Sequence, residues 1–161
     1  MRVRQRGFTL VELMITVAII GILAAIAIPT FLQFMSRGKK VEASLQLDKM
    51  MKNVRVYHAE KAILPPSTNL MPATAACLTG TDKTPATLQS QWEVNAGWRE
   101  LQFHTDEPGY FQYQWTNTTG TDGVAQATGD LDCDGVLALQ VIDVSILTGN
   151  VFEAITTDIT D

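Results

Sequence analysis

Three aspartates lie within five residues near the carboxyl end of the chain and are the side chains best suited to bind a cation. The stretch Gly129-Asp-Leu-Asp-Cys-Asp-Gly135 contains Asp130, Asp132 and Asp134. Carboxylates at alternate positions, followed by a glycine that permits a sharp turn, are how short loops bind Ca²⁺. An EF-hand would need a glutamate where Val141 stands, and the predicted flanking elements are strands. The sequence therefore leaves two interpretations open, a simpler loop that binds Ca²⁺ through these aspartates and a polar hairpin turn without a metal.

A fourth carboxylate, Glu12, raises a different question because it lies at the start of an apolar run. The 24 residues from Leu13 to Ser36 carry no charge, which is enough for a helix to cross a bilayer. A carboxylate in lipid costs a few kcal/mol unless a partner neutralises it. Cleavage between Gly7 and Phe8 would create an amine four residues from Glu12. We expect this amine, from the same chain or from an identical neighbour, to pair with Glu12.

The flanks of the apolar run predict its orientation. Arg2, Arg4 and Arg6 precede it without any acid, so the positive-inside rule keeps this end in the cytoplasm and exports the residues after Arg37. An ordinary secretory signal peptide is the alternative, with Ala25-Ile26-Ala27 as its cleavage site. Its apolar region would be longer than the usual stretch of about 7–15 residues and would contain Glu12.

These N-terminal residues resemble those of type IV prepilins. The resemblance rests on Arg6-Gly7-Phe8-Thr9-Leu10-Val11-Glu12, followed by the apolar run with Gly21 and Pro29, and it covers residues 1 to about 60. It implies that a prepilin peptidase cuts after Gly7 and methylates the amine of Phe8. It also implies that Glu12 pairs with the amine of a neighbouring subunit, and that the helix loosens between Gly21 and Pro29 in a filament.

The elements that must position these residues begin with one long helix, predicted from about Phe8 to Ala62. Beyond the apolar run, one face carries a stripe at helical spacing, and Pro65-Pro66 ends the pattern. The stripe consists of Ala43, Leu47, Met50, Val54 and Tyr57.

The sequence after this helix predicts a connecting region over 63–97, with a short helix near Ala86–Trp92. An antiparallel sheet of about four strands is predicted to follow. The predicted strands are 100–105, 110–116 (with Phe111, Tyr113 and Trp115 on one face), 124–128 and 136–142, and an edge strand over 151–160. The fold class is therefore α+β, a long helix packed on a sheet, which also resembles the pilin fold. The predicted organisation is a leader over 1–7, a helix over 8–62 (membrane-spanning over 8–36) and an exported head over 63–161.

Two cysteines, Cys77 and Cys133, fall in the part predicted to be exported. An even count in an oxidising compartment favours a disulfide, which would connect the 63–97 region to the aspartate loop. Closing a loop of this size would stabilise the fold by roughly 4 kcal/mol in the chain-entropy model. Two unpaired thiols are the alternative.

Composition argues against two function classes. Residues 62–161 carry two basic and 13 acidic residues, a net charge of −11, which disfavours nucleic-acid binding by the head. His58 and His104 are isolated, and the motifs of serine hydrolases and zinc proteases do not occur. The three tryptophans, Trp92, Trp98 and Trp115, are expected to pack in a core rather than form a ligand surface.

The resemblance to type IV prepilins thus implies a structural subunit of a type IV pilus rather than an enzyme. Its expected partners are the prepilin peptidase, other pilin subunits, the inner-membrane assembly machinery and, before assembly, the membrane itself. It is expected in the bacterial inner membrane first and then in a surface or periplasmic filament. One alternative is a pseudopilin of a type II secretion system, and another is a signal-peptide-exported calcium-binding domain.

Overall fold

The computed structural model describes residues 7–78, 80–147 and 150–159, the last segment by its backbone alone. Its first element is helix α1 (Leu10–Lys61), which confirms the predicted long helix. The chain divides into two units at this helix, one ending at Arg37 and the other beginning at Gly38. Each unit is therefore described separately.

The first unit contains the amino-terminal half of α1. This helix contains a stretch long and apolar enough to cross a membrane, and none of that stretch is buried by the described protein. Pro29 lies inside the helix and has no N–H to donate, while the hydroxyl of Thr30 donates to the carbonyl of Ile26 at 2.9 Å. The helix remains continuous through Gly21 and Pro29, so the loosening that the resemblance implies for a filament remains a prediction.

The second unit begins with the remainder of α1, which buries one face. The buried residues are the five predicted ones, Ala43, Leu47, Met50, Val54 and Tyr57, together with Met51. The backbone leaves the helix at Ala62, whose φ of 56° is left-handed, and Pro65-Pro66 follows. A stripe repeating every three or four residues therefore correctly predicted which face meets the core.

Two short helices follow in the connecting region: α2 (Gln89–Trp92) and α3 (Ala96–Leu101). The predicted strand over 100–105 is wrong. Asn95 caps α3 by accepting from the N–H groups of Gly97 and Trp98 at 2.8 and 3.4 Å, and Leu101 ends the helix. Gln102 then adopts a left-handed φ of 50°, which returns Phe103 to the core. Leu101 and Phe103 are both buried, so the turn reproduces the alternation of a strand without forming one.

The sheet has four antiparallel strands in sequential order: β1 (Gln112–Asn117), β2 (Asp122–Gly129), β3 (Ala138–Leu147) and β4 (Asn150–Ile159). The fourth strand is therefore the carboxyl-terminal segment rather than residues 100–105. Trp115 lies opposite Ala125 and Tyr113 lies opposite Ala127, and all four are buried. Small residues on β2 thus make room for the large rings of β1. These rings lie on the face that the sequence predicted to be aromatic.

The outer edge of β1 is covered by residues 67–71. The N–H of Thr68 donates to the carbonyl of Trp115 at 2.8 Å, and Met71 and Tyr113 pair as an antiparallel bridge. The connecting region therefore adds backbone hydrogen bonds to the sheet as well as apolar contacts.

Candidate assembly and metal sites

The first candidate site is the start of α1, where Thr9 and Glu12 form a capping box. Glu12 Oε2 accepts hydrogen bonds from the N–H of Thr9 at 2.9 Å and from its hydroxyl at 2.7 Å. The N–H of Glu12 donates back to Thr9 Oγ1 at 3.2 Å. A threonine before the first helical residue and a glutamate three positions later satisfy two free donors of the helix terminus.

This cap fixes where the carboxylate of Glu12 lies. Among the described residues, the hydrogen bonds to this group all go to Oε2. Oε1 is thus available to a cation while the cap stays formed. Phe8, on the amino-terminal side of the cap, is 81% exposed. Sequence reasoning overlooked the role of Thr9, although Thr-x-x-Glu before an apolar run is the usual signal for this cap.

The second candidate site is the turn between β2 and β3, which contains Asp130, Asp132 and Asp134. Each of the three offers a carboxylate oxygen, and these oxygens lie within 4.8 Å of one another. Asp130 is half-buried and the other two are exposed. This acidic triad could hold a metal ion, since hard cations such as Ca²⁺ bind clustered carboxylate oxygens.

The three aspartates also organise the backbone of their own loop. Asp130 accepts from the N–H groups of Cys133 and Gly135 at 2.7 and 3.0 Å. Asp134 accepts from Val136 at 2.7 Å, and Asp132 accepts from Asp134 at a longer 3.3 Å. Gly135 has a φ of 90°, a left-handed backbone that glycine adopts without strain. Asp132 therefore has the weakest structural role of the three.

The aspartate loop is also joined covalently to the connecting region. Cys77 and Cys133 form a disulfide that links positions 56 residues apart, with 5.5 Å between their Cα atoms. Cys133 lies between Asp132 and Asp134, so the bridge attaches the loop at its centre.

Side chains from α1 contact the same end of the sheet. The carboxylate of Glu42 accepts from the N–H of Tyr110 and the hydroxyl of Tyr113, each at 3.1 Å. Burial, and then the nearby Glu42 carboxylate, raise the pKa of the Tyr113 phenol. Lys39 Nζ donates to the carbonyl of Leu131, inside the aspartate loop. Sequence reasoning missed both residues of α1 because nothing in a helix pattern indicates a partner so distant in sequence.

Two lysines lie over the ring of Tyr110 at this end of the sheet. Lys39 Nζ lies 4.8 Å from the ring centroid and Lys83 Nζ lies 5.0 Å from it, both within cation–π distance. Through these two contacts, Tyr110 connects Lys39 of α1 to the loop that contains Lys83.

The remaining residues considered for chemistry have structural surroundings. Trp92, Trp98 and Phe103 pack ring against ring with centroids 4.9 to 5.7 Å apart, and all three are buried. A hollow of about 470 Å³ lies beside them, but the buried rings offer it little surface. His104 lies in a loop, 3.5 Å from Asp106, rather than on the strand predicted for it.

Comparison with known proteins confirms the resemblance first seen at residues 6–12. Residues 2–28 match the family model of the prokaryotic N-terminal methylation motif. The chain is similar to the type IV major pilin protein PilA of Myxococcus xanthus, with 55% identity over 58 residues, 36% of this chain and 26% of that protein.

Two further relatives are also filament proteins by name. The fimbrial protein EcpC of Eikenella corrodens is 44% identical over 61 residues, 38% of this chain and 40% of EcpC. The type IV major pilin protein PilE of Neisseria gonorrhoeae is 42% identical over 65 residues, 40% of this chain and 39% of PilE. The chain thus spans between 26% and 40% of the length of these curated relatives. No solved structure matches the chain.

Proposed function

We propose that this protein is a structural subunit of a type IV pilus that polymerises through its amino-terminal helix. The observation that carries the proposal is the methylation motif joined to an unburied apolar helix with Glu12 capped at its start. An apolar helix of this length needs lipid or other helices around it, because water solvates its surface poorly. The related pilin and fimbrial proteins support filament assembly over catalysis.

In this proposal the chain is processed before it assembles. Residues 1–7 are a leader that prepilin peptidase removes after Gly7, leaving Phe8 with an amine that becomes methylated. Residues 8–36 hold the precursor in the inner membrane, the helix continues to residue 62, and residues 63–161 form the exported head. Assembly machinery in that membrane then transfers the subunit to a surface filament.

Glu12 guides assembly by pairing with the Phe8 amine of a neighbouring subunit. The cap leaves Oε1 of Glu12 able to accept from that amine, while Oε2 stays bonded to Thr9. Pairing with an amine offsets part of the cost of a charge among apolar helices, and a carboxylate left without that partner is strongly unfavourable there.

Sequencing the amino terminus of sheared surface filaments tests the proposal. We expect a mature chain that begins at methylated Phe8 and is recovered in the filament fraction. A mature chain that begins at Ile28 would instead indicate a secretory signal peptide and would exclude this assembly. Absence from surface filaments, together with lost protein secretion on deletion, would indicate a pseudopilin of a type II secretion system.

We further propose that the aspartate loop binds Ca²⁺ through Asp130, Asp132 and Asp134. Three carboxylates this close repel one another, and a divalent cation would relieve that repulsion. Cys133 holds the loop at its centre through the disulfide, which limits the ordering that binding would require.

Substitution of Asp132 is the sharpest test of this metal site because its side chain contributes least to the loop itself. Calcium should raise the melting temperature of the parent, and Asp132→Ala should abolish most of that increase while melting like the parent in chelator. Glu60→Ala, which removes an exposed carboxylate of α1, is the matched control and should keep the increase. Differential scanning fluorimetry in calcium and in chelator measures all three proteins. Equal calcium responses of parent and Asp132→Ala would exclude the site.

A further inference from the structure

The part of helix α1 that belongs to the second unit, residues 38–61, has an apolar face that the described protein leaves uncovered. Its exposed large apolar side chains are Val41 at 55%, Leu45 at 63% and Val56 at 58%. At about 100° per residue, these three positions fall within a sector of about 60°. That sector lies opposite the buried stripe of the same helix. The exposed apolar residues are therefore grouped on one face rather than scattered.

Two charged side chains lie on the same face, between Leu45 and Val56 along the helix. Asp48 and Lys52 are both exposed. Lys52 falls inside the apolar sector, and Asp48 falls within about 20° of its edge. Neither forms an ion pair or a hydrogen bond in the part of the chain that the structure describes. We call Val41, Leu45, Asp48, Lys52 and Val56 the outer row.

The outer row is complementary to a copy of itself. It carries one acid and one base a single helical turn apart, so two rows in contact can place Asp48 of one copy against Lys52 of the other. A parallel neighbour displaced by four residues, a rise of about 6 Å, also brings Val41 against Leu45. A purely apolar partner would leave both charges unpaired, and a partner of one charge sign would satisfy only one of them. The charges therefore favour a second copy as the occupant.

We propose that the outer row is a contact between copies of this chain, in which Asp48 of one subunit pairs with Lys52 of another. The inference rests on the proposed filament and adds a second charge contact to the one assigned to Glu12. A purely apolar helix surface permits neighbouring helices to slide along each other. A charge pair within an apolar row opposes such sliding, because other registers leave both charges unpaired. This contact would thus help to set the register between subunits.

Complementary charge reversals test this contact in the full-length protein. Asp48→Lys produces a row with two bases, and Lys52→Asp produces a row with two acids. Residues four apart on one helix can also pair within a single chain, and a chain with both changes would restore either kind of pair. The two variants are therefore expressed separately and then together, and mass spectrometry distinguishes them. Glu60→Lys makes the same charge change at an exposed position outside the outer row and is the matched control.

Each variant alone should enter sheared filaments at about a tenth of the parent amount or less, because like charges would face each other across the contact. Expressed together, both should enter the same filaments at near parental amounts, and Glu60→Lys should match the parent. Amounts are taken relative to the subunit present in membranes, which corrects for lost protein. Parental assembly of the single variants, or a defect that joint expression does not repair, would overturn the proposal. Absence of the parent itself from filaments would count against the proposed function instead.

Discussion

At the scale of the single residue, Glu12 has one observed role, in the helix cap, and one proposed role, in assembly. Its Oε2 atom caps its own helix through Thr9, and the proposed function assigns its negative charge to the amine of another subunit. Loss of a helix cap costs about 0.5–2 kcal/mol, whereas an unpaired charge among apolar helices costs a few kcal/mol. The charge should therefore dominate assembly, and the cap should mainly orient it.

Glu12→Gln separates the two roles because the amide keeps an oxygen for Thr9 but carries no charge. We expect both Glu12→Gln and Glu12→Ala to lower incorporation into filaments by roughly tenfold or more, since each ~1.4 kcal/mol changes an equilibrium tenfold. Membrane insertion of both should match or exceed the parent. Quantitative immunoblots of sheared filaments and of membranes measure the two effects. Normal incorporation of Glu12→Gln beside a defect in Glu12→Ala would show that the cap, rather than the charge, is what assembly requires.

At the scale of the element, Glu42 and Tyr113 connect helix α1 to strand β1. The phenol of Tyr113 donates to Glu42 only while it is protonated, and burial beside that carboxylate raises its pKa. In the unfolded chain the phenol loses its proton at about pH 10. The folded state therefore holds a proton that the unfolded state has lost, and the stabilisation declines as pH rises above about 10.

Tyr113→Phe removes this proton and its hydrogen bond together. We expect the variant to be about 1 kcal/mol less stable than the parent at pH 8, where the hydrogen bond is intact. The difference should narrow by pH 11, because only the parent then bears the cost of keeping the phenol protonated. Chemical denaturation of both detergent-solubilised proteins at the two pH values measures this difference in the free energy of unfolding. The same difference at pH 8 and at pH 11 would contradict the proposed link between this phenol and stability at alkaline pH.

At the scale of the whole molecule, regular patterns predicted the fold and long-range polar contacts escaped prediction. The stripe from Ala43 to Tyr57 identified the buried face of α1, since helical periodicity is a local property of the sequence. Leu101 and Phe103 led to the wrong prediction of a strand over 100–105. A left-handed turn at Gln102 gives the same alternation of buried and exposed residues as a strand. The bonds of Glu42 and Lys39 join residues that lie 68 and 92 positions apart, which one sequence cannot reveal.

The candidate sites also have features that the sequence predicted and features that only the structure revealed. The residues around Gly7, Phe8 and Glu12 were recognisable because their types and spacing occur together in one short motif. The aspartate loop was visible by composition, but its hydrogen bonds distinguish Asp132 from its neighbours only once the backbone is known.

The segment over 67–71 that covers the outer edge of β1 has a consequence for the crowding that the proposed filament would impose. An uncovered edge strand offers unpaired N–H and C=O groups to a similar strand of another molecule, and such pairing can start aggregation. Thr68 and Met71 already occupy the groups that Trp115 and Tyr113 would present. Crowded copies are thereby hindered from pairing backbone to backbone along this edge, so that in the proposed filament the subunits would associate through their helices.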